Sequence, residues 1–209
     1  MKINYKLKMD AEIKKIKELG KKPTLLLHAC CAPCSSAVLE KLCEIFNITI
    51  FFYNPNISPE SEFVFRLDEL NRLLPEMGMA DTSVVAPDYD YSEFENIALG
   101  MENMPEGGKR CYACYRLRLK KAADYAKENG FDYFTTTLSI SPYKNAQWLN
   151  EIGLGEGEKV GVKYLCSDFK KDNGYKRSCE LSKEFNLYRQ NYCGCIYSKR
   201  SAKETENVF

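Results

Sequence analysis

The sequence predicts an open, largely parallel α/β sheet with helices on both faces. Three observations carry that expectation. Short apolar runs of strand length recur at residues 24–27, 48–53, 82–86, 133–138 and 162–166. They are apolar throughout rather than alternating, as strands buried on both faces are. Segments with helical periodicity lie between them, the pattern of a sheet sandwiched by helices.

Each element has a local reason. Asp10 can cap a first helix whose apolar face is Ile13, Ile16 and Leu19, closed by Gly20 and Pro23. Residues 24–27 form the first strand, which breaks at His28-Ala-Cys-Cys-Ala-Pro-Cys34. Ser35 or Ser36 caps the next helix, which runs to about Phe46. The β-branched and aromatic run 48–53 ends in the turn Asn54-Pro-Asn56. Ser58-Pro59 supplies a cap followed by proline at the first helical position, opening a helix to about Leu74. Residues 82–86 are a third strand, 92–99 a short helix, and 100–110 a loop containing Pro105, Gly107 and Gly108. Tyr115, Leu119, Ala122, Ala123 and Ala126 then trace one helical stripe, ended by Gly130. The last strands, 133–138 and 162–166, flank a helical stretch at 145–152. No internal repeat is present. In open α/β sheets, sites lie beyond the carboxyl ends of the strands, and the Cys30 cluster follows the first strand directly.

A chain of 209 residues makes one domain, read as an N-terminal helical extension at 1–22 and a single α/β catalytic unit at 23–209. With 44% hydrophobic and 12% aromatic residues, disorder is excluded as the main state. The net charge is +1, so a nucleic-acid partner needs a local basic patch. Lys2, Lys6, Lys8, Lys14, Lys15 and Lys17 exclude a secretory signal at the start. The longest apolar run, 48–53, falls far short of the ~20 residues that cross a bilayer. A cytoplasmic protein is therefore expected, and in a reducing compartment its 10 cysteines point to metal binding or redox chemistry rather than structural disulfides.

The cysteines fall into Cys30-Cys31-Ala-Pro-Cys34, Cys111-Tyr-Ala-Cys114 and Cys193-Gly-Cys195, with Cys43, Cys166 and Cys179 scattered. The first two groups supply at least four thiolates, enough for a zinc site or an iron–sulfur cluster. Neighbouring side chains such as Cys30 and Cys31 are expected to diverge. That suits two corners of a bulky cluster better than one small ion, so iron–sulfur is favoured and zinc is the other reading. Cys34 stays open as a fifth ligand, a ligand to a second metal or a packing residue. The scattered cysteines read as packing residues, and His28, the only histidine, as a hydrogen-bonded structural group. A disulfide between Cys193 and Cys195 would close a very small, strained ring, and strained disulfides are the reducible, catalytic kind. The pair is read as redox-active, with metal ligation and inert thiols as the other possibilities.

Residues 109–121 read KRCYACYRLRLKK, with Lys109, Arg110, Arg116, Arg118, Lys120 and Lys121 basic and no acid among them. This is a solvated helix face or a phosphate-binding surface with Tyr112 and Tyr115 to stack on bases. The chain lacks G-x-G-x-x-G, G-x-x-x-x-G-K-[ST] and H-E-x-x-H, so dinucleotide, P-loop and zincin chemistry have no support.

HACCAPCSS (28–36), YNPNISP (53–59), CYACYRLRL (111–119), TTLSISPYKN (136–145), SDFK (167–170) and YRQNYCGCIYS (188–198) resemble the QueH-type epoxyqueuosine reductases. The resemblance spans about residues 25–198 and implies a Rossmann-like sheet related to the adenine-nucleotide α-hydrolase (HUP) group. It implies two-electron removal of the epoxide oxygen from epoxyqueuosine at the tRNA wobble position, the last step of queuosine synthesis, without cobalamin and with an external electron donor. By the same resemblance Cys30, Cys31, Cys111 and Cys114 bind a [4Fe-4S] cluster, and Cys193 with Cys195 forms a redox-active disulfide. An additional iron would sit beside the cluster, its candidate ligands Cys34 and Asp90. Arg110, Arg116, Arg118 and Lys120 would hold anticodon phosphates. Two other classes stay open. An iron–sulfur, ATP-using tRNA-thiolating enzyme is disfavoured by the missing glycine-rich phosphate loop, and a zinc-stabilised, non-catalytic RNA-binding module leaves Cys-Gly-Cys unexplained.

Overall fold

β1 (Thr24–His28) is the centre of the sheet, and its Leu25, Leu26 and Leu27 are wholly buried because helices cover both faces. In the computed structural model, which describes residues 3–200, β1 pairs in parallel with β2 (Asn47–Phe51) on one side and β4 (Tyr133–Thr136) on the other. β3 (Ser83–Val85) and β5 (Lys163–Tyr164) complete a parallel sheet of order β3-β2-β1-β4-β5. The strand order therefore reverses between β1 and β4. Their carboxyl ends open the crevice where such sheets bind ligands.

One apolar layer joins Leu25 and Leu27 to Val38 and Leu42 of α2 (Ala32–Leu42), Leu70 and Leu73 of α3 (Glu60–Glu76) and Leu181 of α7 (Gly174–Glu184). The other joins Leu26 and Phe134 to Leu119 and Ala122 of α5 (Lys109–Glu128) and Leu149 of α6 (Ala146–Val160). α4 (Ser92–Ala98) is a short helix packed on α5. No described helix is long and apolar enough to cross a membrane.

α1 (Tyr5–Glu18) starts earlier than Asp10, because Asn4 is the cap and its side chain accepts the Leu7 N–H. Asp10 instead pairs with Lys6 along the helix. Met9 and Ile16 enter one layer and Tyr5 the other, so the extension is packed into the body of the domain. α2 also starts earlier. Cys31 is its cap, while Ser35 and Ser36 lie inside the helix, their hydroxyls donating to the carbonyls of Cys31 and Pro33. β4 ends before Leu138, whose N–H is taken by the Thr136 hydroxyl as a 3₁₀ turn (Thr137–Ile140) begins.

α6 runs past residue 152 through glycines that read as helix breakers. A Cβ on Gly153 would lie 2.4 Å from the Tyr164 ring, and one on Gly157 2.6 Å from the Val162 carbonyl. The helix spends propensity for close contact with β5. α7 was not expected from the sequence, since its buried face includes Ser178 and Ser182 beside Leu181 and shows little apolar period.

Candidate metal centre

The carboxyl ends of β1 and β4 are tied by His28 Nδ1 and Thr136 Oγ1, 2.8 Å apart. Immediately beyond, Cys30, Cys31 and Cys34 bring their sulfurs within 4.8 Å of one another. Cys30 and Cys31, expected to diverge, converge to 3.8 Å between sulfurs, because extended backbone at Cys31 turns straight into α2. Cys34 is one turn along that helix and completes the group.

A second group lies beside it. α5 begins at Lys109, so Cys111 and Cys114 sit in its first turns, and both line a cavity with Cys193 and Cys195. Lys144, on the loop before α6, places Nζ 2.9 Å from Cys193 Sγ. Ser198 packs on Cys195, its hydroxyl donating to the Cys195 carbonyl at 3.0 Å. All ten cysteines are free thiols. Cys30, Cys31, Cys111 and Cys114 are thus divided between two neighbouring groups, and Cys34 belongs to the first, its sulfur within 4.8 Å of those of Cys30 and Cys31.

Buried cations stand between the groups. Arg118 is 1% exposed and its charge acts on both Cys30 and Cys114. Its other partners are neutral: Nε donates to His28 Nε2 at 3.3 Å and Nη2 to Asn54 Oδ1. Asn54 is oriented for this because its Nδ2 donates to the Ala29 carbonyl at 2.8 Å. The imidazole of His28 is wholly buried beside Arg118 and is pushed down to about 3, so it stays neutral. Arg66 and Lys144 add positive charge. Hydrogen bonds from Cys31 and Cys34, with Arg118 and Lys144 nearby, hold Cys30 well below the usual thiol range despite burial. The hydrogen bond shared with Cys30 raises Cys31 to about 12, and hydrogen bonding with Cys30 and Cys31 raises Cys34 well above its ordinary value. Burial raises Cys114 to about 12 and raises Cys111 and Cys195.

These residues fit a thiolate-bound, net-negative metal group. A buried guanidinium without a carboxylate partner is costly, and thiolates on a metal are anions of the required sign. Asn56 adds a buried side-chain oxygen without a hydrogen-bond partner among the described residues, on the wall of the cavity that Cys111, Cys114, Cys193 and Cys195 line.

The basic segment divides by helical periodicity. Arg110, Cys114 and Arg118 follow at intervals of four and face inward, whereas Arg116 and Lys120 are exposed. This corrects the reading of Arg110 and Arg118 as surface phosphate contacts. Arg110 Nη1 donates to the carbonyls of Met101, Glu102 and Met104 and its guanidinium lies 4.1 Å from the Tyr197 ring centre. Tyr115 is also buried and cannot stack on a base from the surface, while Tyr112 is exposed, edge-on to Trp148. Arg116 is 3.4 Å from Glu156, and Lys120 pairs with Asp124. Asp90 is exposed, its carboxylate accepting the Ser92 N–H and hydroxyl at the start of α4. Cys43 ends α2, Cys166 is buried after β5, and Cys179 lies on α7, none with the grouped thiols. Sequence reasoning missed Lys144, Asn54 and Arg66. The first two stood inside conspicuous blocks, SPYKN and YNPN, without an assigned role; Arg66 gave no signal.

Residues 25–201 match the family described as "Epoxyqueuosine reductase QueH". The epoxyqueuosine reductase QueH of Streptococcus pyogenes serotype M1 is 42% identical over 202 residues, covering 95% of this chain and 79% of that protein. That of Staphylococcus epidermidis is 41% identical, covering 94% and 85%. The Thermotoga maritima protein of the same name is 35% identical, covering 87% and 93%. A match of this extent, on a chain whose thiols gather at the sheet's switch point, has one conclusion: the chain belongs to the epoxyqueuosine reductase QueH family.

Proposed function

We propose that this protein reduces epoxyqueuosine to queuosine at the wobble position of tRNA, using a [4Fe-4S] cluster held by Cys30, Cys31, Cys111 and Cys114. The observation that carries the reading is the pair of thiol groups, seven sulfurs in all, with buried Arg118 acting on members of both beyond the carboxyl ends of β1 and β4. The overall reaction takes two electrons and two protons, and releases the epoxide oxygen as water, leaving an alkene. The cluster, when bound, supplies one-electron transfer and Lewis-acidic iron.

The chain's own groups prepare the rest. Arg118 and Lys144 hold positive charge against the thiolates in a region shielded from water. Lys144 Nζ, 2.9 Å from Cys193 Sγ, and the Tyr115 phenol beside it, which burial keeps protonated, can protonate the opened ring oxygen. Cys193 and Cys195, passing from dithiol to disulfide, release two electrons and two protons, which matches what the epoxide consumes; an external reductant restores the dithiol. Cys34 is the sulfur left for an additional iron. Asp90, engaged at α4, is given no part in it. Arg116 and Lys120, with Tyr112, present the exposed face of α5 to anticodon phosphates and a splayed base.

The test is an absorption spectrum with iron, zinc and acid-labile sulfide analysis on anaerobically purified protein, followed by turnover on epoxyqueuosine-containing tRNA. About four or five irons with four sulfides, and product, are expected. Zinc without sulfide, or a Cys195→Ser protein with full multiple turnover, would overturn the cluster or the dithiol step respectively.

A further inference from the structure

We propose that Arg66 is the positioning residue of the Cys193–Gly194–Cys195 segment, clamping its backbone beside the thiol site. The proposal deepens the reading above, since it takes Cys193 and Cys195 as working thiols.

Arg66 lies within α3 and is 1% exposed. Its Nε is 2.7 Å from the Glu62 carboxylate, which aims the guanidinium. Nη1 donates to the Cys193 carbonyl at 3.2 Å, and the guanidinium carbon lies 5.2 Å from the Tyr192 ring centre. One residue later, the Ser58 N–H donates to the Gly194 carbonyl at 3.0 Å. Successive carbonyls of the segment are thus held by α3 and the loop that leads into it, while Lys144 holds the Cys193 sulfur.

Gly194 is fitted to the clamp. Its φ of +118° is a conformation that residues with a Cβ rarely adopt. A Cβ there would stand 3.0 Å from Arg66 Nη1 and 3.1 Å from Ile57 Cγ1. The middle residue of the motif is therefore glycine for two reasons, its backbone angle and the approach of Arg66.

Simple helix docking does not account for an arginine here. Phe63, Leu70 and Leu73 already seat α3 in the core, and replacing a buried ion pair by well-packed apolar groups is often neutral or stabilising. What the guanidinium adds is an N–H on main-chain oxygen while Glu62 fixes its orientation through Nε. Two thiols separated by one residue need that restraint, because a small backbone shift at Gly194 moves both sulfurs at once.

The experiment is hydrogen exchange by mass spectrometry on the iron-loaded protein, with steady-state kinetics on epoxyqueuosine-containing tRNA. In Arg66→Met and Arg66→Lys, exchange across 190–197 should rise at least about tenfold, as expected for loss of a buried hydrogen bond from a charged donor. kcat should fall by a comparable factor with KM for tRNA unchanged, and in Arg66→Lys, which keeps the positive charge, iron content should stay at the parental level. Gly194→Ala should reproduce this with Arg66 intact, and it decides the matter if the Arg66 variants do not fold. Glu62→Gln, which leaves the Nη1 bond in place, should change exchange far less. Parental exchange in Arg66→Lys or Gly194→Ala would overturn the clamp. Faster exchange with unchanged kcat would leave the clamp standing and overturn the working-thiol reading on which its functional meaning rests.

Discussion

Lys144 Nζ stands 2.9 Å from Cys193 Sγ, joining the loop after the β4 end to the Cys-Gly-Cys segment near the carboxyl terminus. Burial works against its charge, but Cys193 and Tyr115 hold the ammonium form well above its ordinary range. Alkylation of a thiol passes through negative charge on sulfur, and an ammonium hydrogen-bonded to that sulfur favours the transition state. In Lys144→Met, alkylation of Cys193 by iodoacetamide at neutral pH should slow by about tenfold or more. Peptide mapping by mass spectrometry reads the rate at Cys193 separately from the other thiols, and an unchanged rate would remove Lys144 from the site's chemistry.

Arg116 and Arg118 are two residues apart and point to opposite environments, exposed and buried. Arg116→Glu should weaken tRNA binding and reduce the dependence of log Kd on log salt by about one unit per lost phosphate contact, with iron content unchanged. Arg118→Met should do the reverse, lowering iron per chain and thermal stability while leaving the salt dependence of any folded fraction in place. Binding titrations at several salt concentrations, with iron analysis, separate the two.

Glu12 of α1 accepts a hydrogen bond from the Tyr133 hydroxyl at 2.7 Å, and Lys163 lies 3.3 Å away. That hydrogen bond, with help from Lys163 and against partial burial, lowers the Glu12 carboxyl below its ordinary 4.5. A carboxyl lowered in the folded state contributes stability that is complete above about 4.5 and is lost as pH falls through the lower folded value. Urea midpoints should therefore fall more steeply below pH 4.5 in the parent than in Glu12→Gln, whose stability deficit narrows as the solution is acidified. Parallel pH profiles would show that this contact does not tie α1 to the sheet edge.

Gly153 and Gly157 bring α6 onto Tyr164 and Val162. Alanine at an exposed helix position gains roughly 1 kcal/mol over glycine, but here overpacking dominates. Gly157→Ala, which meets backbone, should lose about 1–3 kcal/mol in chemical denaturation. A stabilised Gly157→Ala protein would mean that α6 can shift without disturbing β5.

The strands, the parallel class and the three thiol groups were legible in the amino-acid string, because apolar runs and ligand spacing are local properties. So was the family, through blocks that include Cys30, Cys111 and Cys193. The division of the basic helix was latent in its period: Arg110, Cys114 and Arg118 at intervals of four share a face. Which face turned inward depended on packing, since charged residues are seldom buried without a partner. α7 escaped because its hidden side carries Ser178 and Ser182, and α6 was cut short because its glycines answer to β5 rather than to the helix. The sequence alone determined which residue types are present for the chemistry and where the chain turns from strand to helix. Only the tertiary structure decided that Arg66, Arg118 and Lys144, distant from one another in the chain, surround the thiols. The physical reason is that charge compensation acts through space, across contacts made when β1 and β4 meet and α3, α5 and the loop before α6 close over their ends.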